Sequence, residues 1–144
     1  PLLIEIKDQD GNMGPAVGPL EAAVAEALSP YRGEVAVMSF NPNSVVAFGN
    51  IRADIPLGLV TDRFEPDDWP SLSAERRKYL AQISDFGTSG VGFISHNQTQ
   101  LTDPPVSALK AQGVPVLCWT VRSPDEERRA RRIADNITFE GYLP

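Results

Sequence analysis

The sequence predicts an α/β fold in which parallel strands form part of a (β/α) barrel. Short apolar runs alternate along the chain with apolar residues at helical spacing, which is the order of repeated strand–helix units. Several runs are apolar on both faces, as expected for parallel strands that are covered by helices. Successive strands begin roughly 20–35 residues apart, the length of one βα unit. Because a complete barrel needs about 250 residues, the 144 residues here fit five or six units of an incomplete barrel.

Each predicted element follows from its own local signals. The predicted strands are Leu2–Lys7, Val35–Phe40, Leu57–Thr61, Val91–Ser95, Val116–Val121 and Ile137–Glu140. Apolar residues at helical spacing mark the segments between them, from Val17 to Leu28, Val45 to Phe48, Leu72 to Ile83 and Val106 to Leu109. Asn41 and Ser123 each precede a proline and are predicted N-caps, and Gly113 ends a short helix. No linker separates these elements, so residues 1–144 are predicted to form a single domain.

The charge of the chain limits its partners. The formal net charge is −6 at pH 7, and an acidic surface repels a phosphate backbone, so no nucleic-acid partner is expected. A cluster of four arginines begins at Arg128, but it follows three acidic residues in one predicted helix. That order complements the helix dipole and indicates a solvated helix face. No glycine-rich loop opens a helix after a strand, which argues against nucleotide binding.

The sequence contains no membrane or targeting signal. No apolar run reaches the ~18 residues that a spanning helix needs, so no membrane span is expected. A signal-peptide pattern is also missing, which favours a cytoplasmic location. The chain begins inside an apolar strand at Pro1, so we expect its start to be cut and the parent protein to be longer. The single cysteine, Cys118, excludes an internal disulfide and is expected to be a buried, unreactive thiol.

Two charged residues interrupt the first predicted strand. Side chains alternate along a strand, so Leu3, Glu5 and Lys7 share one face while three apolar residues share the other. If the apolar face packs against helices, Glu5 and Lys7 point into the barrel near the C-terminal end of the strand. Barrel enzymes place catalytic residues there, and this pair could hold a cation and an anion side by side. A plain ion pair on an edge strand explains the same spacing.

Other polar segments offer less chemistry. Asp8–Asn12 begins like a calcium loop, but its glycine falls too early and Pro19 occupies the position of the terminal Glu, so a polar turn is expected. His96 is the only histidine and is predicted to lie in a loop after a strand, where a structural or exposed role is favoured over ligand contact. Ser39 lacks the Gly-x-Ser-x-Gly elbow of serine hydrolases.

Four segments in a fixed order carry a resemblance to a known family. They are Ile4-Glu5-Ile6-Lys7, Met38-Ser39-Phe40, Pro56-Leu57-Gly58-Leu59 and Gly113-Val114-Pro115-Val116-Leu117-Cys118-Trp119-Thr120-Val121. With them the chain resembles the glycerophosphodiester phosphodiesterase family, which typically shows a Glu-Ile-Lys strand, a Ser-Phe strand end and a Trp-Thr-Val-Asn segment after a Gly–Val turn. The resemblance covers nearly the whole chain, and it implies that the chain is the C-terminal part of a TIM-like (β/α) barrel of phosphodiesterase type.

The resemblance also implies a function in lipid and glycerol metabolism. Members hydrolyse glycerophosphodiesters to glycerol 3-phosphate and an alcohol with the help of a divalent cation. Glu5 would then be a ligand of magnesium or calcium, and Lys7 would be the catalytic residue that neutralises charge on the phosphate. Phe40 and Trp119 would line the substrate pocket. Since Trp119 shares a predicted strand face with Val121, a core role for Trp119 stays open.

Three departures from the family pattern limit this expectation. The family's His-Arg-Gly and Glu-x-Asp segments, which carry its acid/base histidines and further metal ligands, precede the Glu-Ile-Lys strand and are missing here. Arg122 replaces the Asn after Trp-Thr-Val, and the terminal Thr-Asp-x-Pro is replaced by a segment that begins at Thr138. We therefore expect the 144-residue chain to be inactive by itself.

Two other functions and an assembly state remain open. The chain could be a non-catalytic half-barrel or a degenerate ligand-binding module, since it has no histidine pair. It could also belong to another phosphate-handling barrel, such as the phosphoinositide phospholipase type. Unpaired strand edges expose backbone groups and favour association of copies, so a homo-oligomer is possible. The residues do not predict the alcohol group of the substrate or the preferred metal.

Overall fold

Six parallel strands follow one another in chain order around one curled sheet in the computed structural model, which describes residues 1–144. The strands are β1 (Leu2–Glu5), β2 (Val35–Ser39), β3 (Leu57–Thr61), β4 (Phe93–Asn97), β5 (Val116–Val121) and β6 (Asn136–Phe139). The helices are α1 (Pro19–Ala27), α2 (Pro42–Ile51), α3 (Ala74–Ala81), α4 (Pro104–Ala111) and α5 (Pro124–Ala130), with a 3₁₀ helix at Ser84–Gly87. The predicted fold class is confirmed: the chain is an α/β half-barrel.

All six predicted strands are present, with ends that differ by up to two residues. The largest difference is in β4, which is predicted at Val91–Ser95 and observed at Phe93–Asn97. Pairing explains the difference, because Phe93 is the first residue in register with β3 and Asn97 is still in register with Trp119 of β5. His96 therefore lies within a strand, and its predicted loop position is wrong.

The predicted helix boundaries rest on caps that the structure contains. The Asn41 side chain accepts a hydrogen bond from the backbone N–H of Asn43 at 2.9 Å, with a proline in the first turn of α2. The Ser123 hydroxyl accepts one from Glu126 N at 3.3 Å in α5. Gly113 follows α4 with φ of +84°, a conformation that favours glycine and ends the helix.

Side-chain alternation divides the packing into two cores. The outer core lies between the sheet and the helices, and it includes Ile6, Val37, Leu59, Ile94 and Cys118. Burial raises the pKa of the Cys118 thiol to about 11, so it stays protonated as expected. The inner core faces the barrel interior and is formed by Met38, Val60 and Phe93, with Leu117 and Trp119 packed against it.

Val121 lies on the opposite side of the sheet from Trp119. A register shift between Cys118 and Val121 in the β5–β6 pairing breaks the alternation, and Val121 becomes part of the outer core. The prediction that Trp119 and Val121 share a face is wrong for this reason. Trp119 therefore faces the barrel interior with Leu117 and is half-buried there.

The sheet is open, with β1 and β6 at its two edges. A cavity of about 350 Å³ opens on the inner face, lined by Leu3, Ala36, Pro56, Gly92, Phe93, Pro115 and Leu117. Leu3 of the first edge strand is 41% exposed at this opening. The helices are all too short or too polar to cross a lipid bilayer.

Candidate active site

Glu5 and Lys7 lie at the C-terminal end of β1 on the inner face of the sheet. Ile6 is fully packed in the outer core and Ile4 contacts it, which places the side chains between and after them on the inner side. Lys7 Nζ is 2.7 Å from Glu5 Oε1, and the two side chains are 73% and 23% exposed. The carboxylate is thus sheltered by the sheet, while the ammonium group extends towards solvent.

Four aromatic rings form a continuous cluster over the same strand ends. We call this cluster the aromatic wall; its members are Phe40, Phe64, Trp69 and Trp119. Phe40 lies at its centre, with ring centroids 4.9 Å from Trp69, 5.3 Å from Trp119 and 6.2 Å from Phe64. Phe64 and Trp69 are 5.0 Å apart. The β1–β2 register pairs Glu5 with Met38, and Phe40 packs against the inner core that contains Met38.

Both indole groups in the aromatic wall are fixed by hydrogen bonds. Trp119 Nε1 donates to the backbone oxygen of Ser95 at 3.1 Å, which holds this ring against β4. Trp69 Nε1 donates to Asp62 Oδ2 at 3.3 Å. Asp62 is buried and also accepts a hydrogen bond from Arg63 N at 2.7 Å. The rings are therefore held by the fold and do not depend on a ligand for their position.

Sequence reasoning identified Phe40 and Trp119 but missed Phe64 and Trp69. The missed pair lies on the loop that joins β3 to α3, between residues 61 and 74. This loop has no helical or strand periodicity, so nothing local predicts that Phe64 is buried against Leu72, Leu80 and Met13. The only signal is that one short acidic, proline-containing segment holds two large aromatic residues.

The loop after β1 is a polar turn stabilised by its own carboxylates. Asp8 accepts hydrogen bonds from the backbone N–H groups of Gly11 at 2.7 Å and Met13 at 3.2 Å, and from Asn41 Nδ2 at 2.7 Å. Asp10 accepts from Gly14 N at 2.9 Å and from two further backbone N–H groups. These oxygens are used by the turn itself, in agreement with the interpretation of this segment as a turn.

His96 is directed away from the barrel interior. It alternates with Phe93 and Ser95 along β4, and its Nδ1 is 2.8 Å from the Thr61 hydroxyl, while Nε2 is buried without a partner. Burial lowers the pKa of His96 to about 4 despite the opposing effect of nearby Asp103 and Asp62. The imidazole is therefore neutral at pH 7 and lies on the opposite face of the sheet from the Glu5–Lys7 pair, which favours a structural role.

Ser39 is also part of the scaffold. Its hydroxyl donates to the backbone oxygen of Ile6 at 2.7 Å and accepts from Asn41 N at 3.1 Å. These bonds tie the end of β1 to the start of α2. They fix the positions of the strand ends that carry Glu5 and Phe40.

The amino-acid sequence matches one known protein family over most of its length. Residues 1–135 match the model of the glycerophosphoryl diester phosphodiesterase family. The chain belongs to this family. No protein among curated sequences matches it.

Solved structures of phosphodiesterases share the half-barrel. The chain is similar to a candidate glycerophosphoryl diester phosphodiesterase from Silicibacter pomeroyi DSS-3, with a TM-score of 0.65 and 21% identity over 83% of this chain. A candidate glycerophosphodiester phosphodiesterase from Galdieria sulphuraria gives a TM-score of 0.66 and 12% identity over 95% of this chain. A phosphodiesterase from Oleispira antarctica, in complex with the product sn-glycerol-3-phosphate, gives 0.59 and 21% over 83%.

These similarities concern the fold, and they cover only part of each relative. The chain spans 39%, 52% and 44% of the three matched structures in the order given. The glycerophosphoryl diester phosphodiesterase fold is thus present over six strands.

A divalent cation, which the resemblance implies, would not find a complete site within this chain. Magnesium and calcium take six or more oxygen ligands, whereas Glu5 is the one carboxylate placed beside Lys7 on the inner face. No group of three or more His, Cys, Asp or Glu side chains in residues 1–144 could hold a metal ion. The residues present therefore do not form a complete metal site.

Proposed function

We propose that residues 1–144 contribute one side of the active site of a glycerophosphodiester phosphodiesterase, which hydrolyses glycerophosphodiesters to glycerol 3-phosphate and an alcohol. One observation carries the proposal: in a member of this family, the Glu5–Lys7 ion pair, 2.7 Å apart, lies at the C-terminal strand ends that also carry the aromatic wall. Barrel enzymes form their active sites at this end of the sheet. The complex of the Oleispira antarctica phosphodiesterase with sn-glycerol-3-phosphate supports the choice of product.

Lys7 is the proposed phosphate contact. The Lys7 side chain is 73% exposed, and its ammonium group has only the Glu5 carboxylate as a partner. A phosphate oxygen can therefore approach it from solvent at the C-terminal ends of the strands. A preorganised cation stabilises negative charge that develops on the phosphate during hydrolysis. Lys7 therefore acts as the catalytic residue that this chain provides.

Glu5 is the proposed oxygen ligand for a divalent cation, magnesium or calcium. A carboxylate is a hard donor that suits either ion, and Glu5 lies at the strand end with one oxygen bound to Lys7. Since this chain has no complete metal site, the cation requirement is part of the proposal and no catalytic step is assigned to it.

Phe40 and Trp119 are the proposed contacts for the apolar surface of the substrate. Their rings meet edge to face, with an interplanar angle of 81°, and both are half-buried. A rigid aromatic surface next to Lys7 excludes water from one side of the phosphate. It also offers packing area to the glycerol or alcohol group.

Hydrolysis also needs a side chain that transfers protons at the C-terminal strand ends, and residues 1–144 place no histidine there. His96, the only histidine, is buried on the outer face with its ring bonded to Thr61. Protonation of the leaving alcohol needs a group within hydrogen-bond reach of it. We therefore expect the 144-residue chain to bind product without catalysing hydrolysis on its own.

Product binding to the chain tests the proposal directly. Titration with sn-glycerol 3-phosphate should give a saturable change in tryptophan fluorescence, because both tryptophans of the chain are in the aromatic wall. Release of glycerol 3-phosphate from glycerophosphodiesters with magnesium or calcium is assayed in parallel, for the chain and for any longer polypeptide that contains it. No binding by the chain and no release by either form would overturn the proposal.

A non-catalytic binding module is the second candidate. The outward position of His96 and the single inner-face carboxylate favour it. Under this alternative, glycerol 3-phosphate binds but no polypeptide that contains the chain releases it from a diester. Hydrolysis of phosphoinositides in the same screen would instead indicate a phospholipase-type barrel.

A further inference from the structure

The backbone around Lys7 lies beyond the regular part of the sheet. Strand β1 ends at Glu5, and the hydrogen bonds between β1 and β2 extend to Ile6, whose N–H donates to Met38 O at 2.8 Å. The Lys7 side chain is 73% exposed and its ammonium group is bonded only to Glu5, so surrounding side chains do not hold it. Because each residue has only two soft backbone torsions, the position of Lys7 depends on how its two neighbours in the chain are held.

The end of β2 binds the residue that precedes Lys7. Ser39 Oγ donates to Ile6 O at 2.7 Å and accepts a hydrogen bond from Asn41 N at 3.1 Å. All three residues that make these bonds are buried. Ile6 is therefore held at both its backbone N–H and its backbone oxygen.

The Asn41 side chain binds the residue that follows Lys7. Its Nδ2 donates to Asp8 Oδ1 at 2.7 Å and to Gly14 O at 2.8 Å. We call the linked hydrogen bonds of Ser39, Asn41 and Asp8 the strand-end clamp. The clamp extends from one short turn after β2 and holds the chain on both sides of Lys7.

Asparagine at position 41 does more than start helix α2. The N-cap role uses only its Oδ1, which accepts from Asn43 N at 2.9 Å, and Asp or Ser fills that role as well as Asn does. Capping does not need the two N–H donors of Nδ2. Both donors are used by the loop after β1, at Asp8 and Gly14. The strand-end clamp therefore requires an amide at this position, whereas the helix requires only an oxygen.

We propose that Asn41 is a positioning residue for the reaction: through Ser39 and Asp8 it fixes the backbone of Lys7, which holds the ammonium group beside Glu5 and ready to meet a phosphate. The contact with phosphate rests on the proposed function. The effect of Asn41 on Lys7 depends only on the strand-end clamp, so it can be measured without a ligand.

The lysine side chains give a direct signal for this effect. The chain has three lysines, Lys7, Lys78 and Lys110, and ¹³C methylation of the amines keeps their charge and reports each by NMR. In the wild type, Glu5→Gln should shift the Lys7 signal, because the carboxylate 2.7 Å from Nζ loses its charge. In Asn41→Asp the same replacement should shift it by about half as much or less, since the two groups are no longer held together. The other two lysine signals should stay unchanged.

Two further variants separate positioning from a general loss of stability. Ser123→Ala removes the bond between the Ser123 hydroxyl and Glu126 N at the start of α5, which weakens that helix start but should leave the response of Lys7 as in the wild type. The exchange Asp8→Asn/Asn41→Asp keeps the net charge and restores a donor opposite an acceptor in reversed order. It should recover part of the response. A full response in Asn41→Asp, or no recovery in the exchange, would overturn the proposal.

A milder variant covers the case in which Asn41→Asp does not fold, as judged by far-ultraviolet circular dichroism. Asp8 is half-buried, and Asp8→Asn leaves one oxygen for the donors of Gly11, Met13 and Asn41 that now share two. The clamp should loosen, and Glu5→Gln should again shift the Lys7 signal less than in the wild type. A full response in Asp8→Asn would also overturn the proposal.

Phosphate binding connects the clamp to the reaction. The affinity of Asn41→Asp for sn-glycerol 3-phosphate, measured from the Lys7 signal, should fall about three- to tenfold, because a displaced ammonium group loses part of a charge-assisted contact. The exchange variant should regain part of this affinity. Wild-type affinity in Asn41→Asp would contradict the positioning role. If the wild type itself does not bind sn-glycerol 3-phosphate, the proposed function fails, and the ligand-free response of Lys7 still decides whether Asn41 positions it.

Discussion

Lys7 Nζ and Glu5 Oε1 are 2.7 Å apart at the C-terminal end of β1, yet the lysine is 73% exposed and the glutamate 23% exposed. An ion pair with one partner in solvent contributes little to stability, about 0–1 kcal/mol. The ion pair can therefore break at small cost in free energy. The ammonium group is then free to bind a phosphate, and the carboxylate is free to bind a cation. This exchangeability distinguishes the pair from the buried hydrogen-bonded groups of the scaffold.

Replacement of Glu5 by glutamine should reduce cation affinity. Glu5→Gln keeps the shape of the side chain but removes the charge that a divalent cation needs. In a polypeptide with measurable hydrolysis, the concentration of magnesium or calcium that gives half-maximal rate should rise at least about tenfold, and excess cation should partly restore the rate. Glu26→Gln on α1, an exposed carboxylate far from the mouth, is the control. Wild-type activity of Glu5→Gln without added metal would disprove the assignment of Glu5.

Replacement of Lys7 should act on phosphate instead. Lys7→Met removes the ammonium and keeps most of the side-chain length. The affinity of the chain for sn-glycerol 3-phosphate should fall at least about tenfold, measured by tryptophan fluorescence, since a charge-assisted contact to phosphate is lost. Lys78→Met, at an exposed position on α3, should bind like the wild type. A Lys7→Met variant with unchanged affinity would show that the phosphate lies elsewhere.

Local sequence signals predicted most of the scaffold because they act over a few residues. Asn41 followed by Pro42, and Ser123 followed by Pro124, specify helix starts without help from distant parts of the chain. Alternation along β1 likewise predicted the face of Glu5. These features arise from backbone geometry and single hydrogen bonds, so one sequence is enough to recognise them.

The parts that sequence reasoning missed depend on tertiary contacts. Ser95-His96-Asn97 reads as a polar loop, but pairing with β3 and β5 on both sides extends the strand through it. Trp69 joins Phe40 from a loop 29 positions later, and no periodicity relates the two. Three expectations stay predictions: the single domain, the cation requirement and the cytoplasmic location. None of the contacts within residues 1–144 tests them.

Stability should fall as the pH decreases through the titration range of His96. Burial lowers the pKa of His96 to about 4 in the folded chain, while the unfolded value is near 6.5. Unfolding therefore takes up a proton between these values, so the full contribution is present above pH 6.5 and is lost as the pH falls to 4. The loss should approach about 3 kcal/mol in urea unfolding experiments. His96→Gln should have a flatter pH dependence; an equally steep one would assign the effect to other groups.

Glu21 should be essential for joining α1 to α2. It is fully buried, and its carboxylate accepts hydrogen bonds from the Ser44 hydroxyl at 2.5 Å and from Gly18 N at 2.6 Å. Glu21→Ala leaves both donors without a partner, which should lower the free energy of unfolding by about 2–4 kcal/mol. Glu26→Ala on the same helix is exposed and should change it by less than about 0.5 kcal/mol. Equal effects of the two substitutions in urea titrations would contradict this account.

The open edges of the sheet should make copies of the chain associate. The outer edges of β1 and β6 have no strand partner, and Leu2 and Leu3 are 43% and 41% exposed at the first edge. Unpaired backbone groups next to apolar side chains are a template for pairing with a second chain. Size-exclusion chromatography with light scattering should therefore show dimers or larger species whose fraction rises with concentration. Leu2→Lys and Leu3→Lys should shift the population towards the monomer, because charge at an edge opposes pairing. A wild-type chain that unfolds cooperatively and stays monomeric at the same concentrations would refute the prediction.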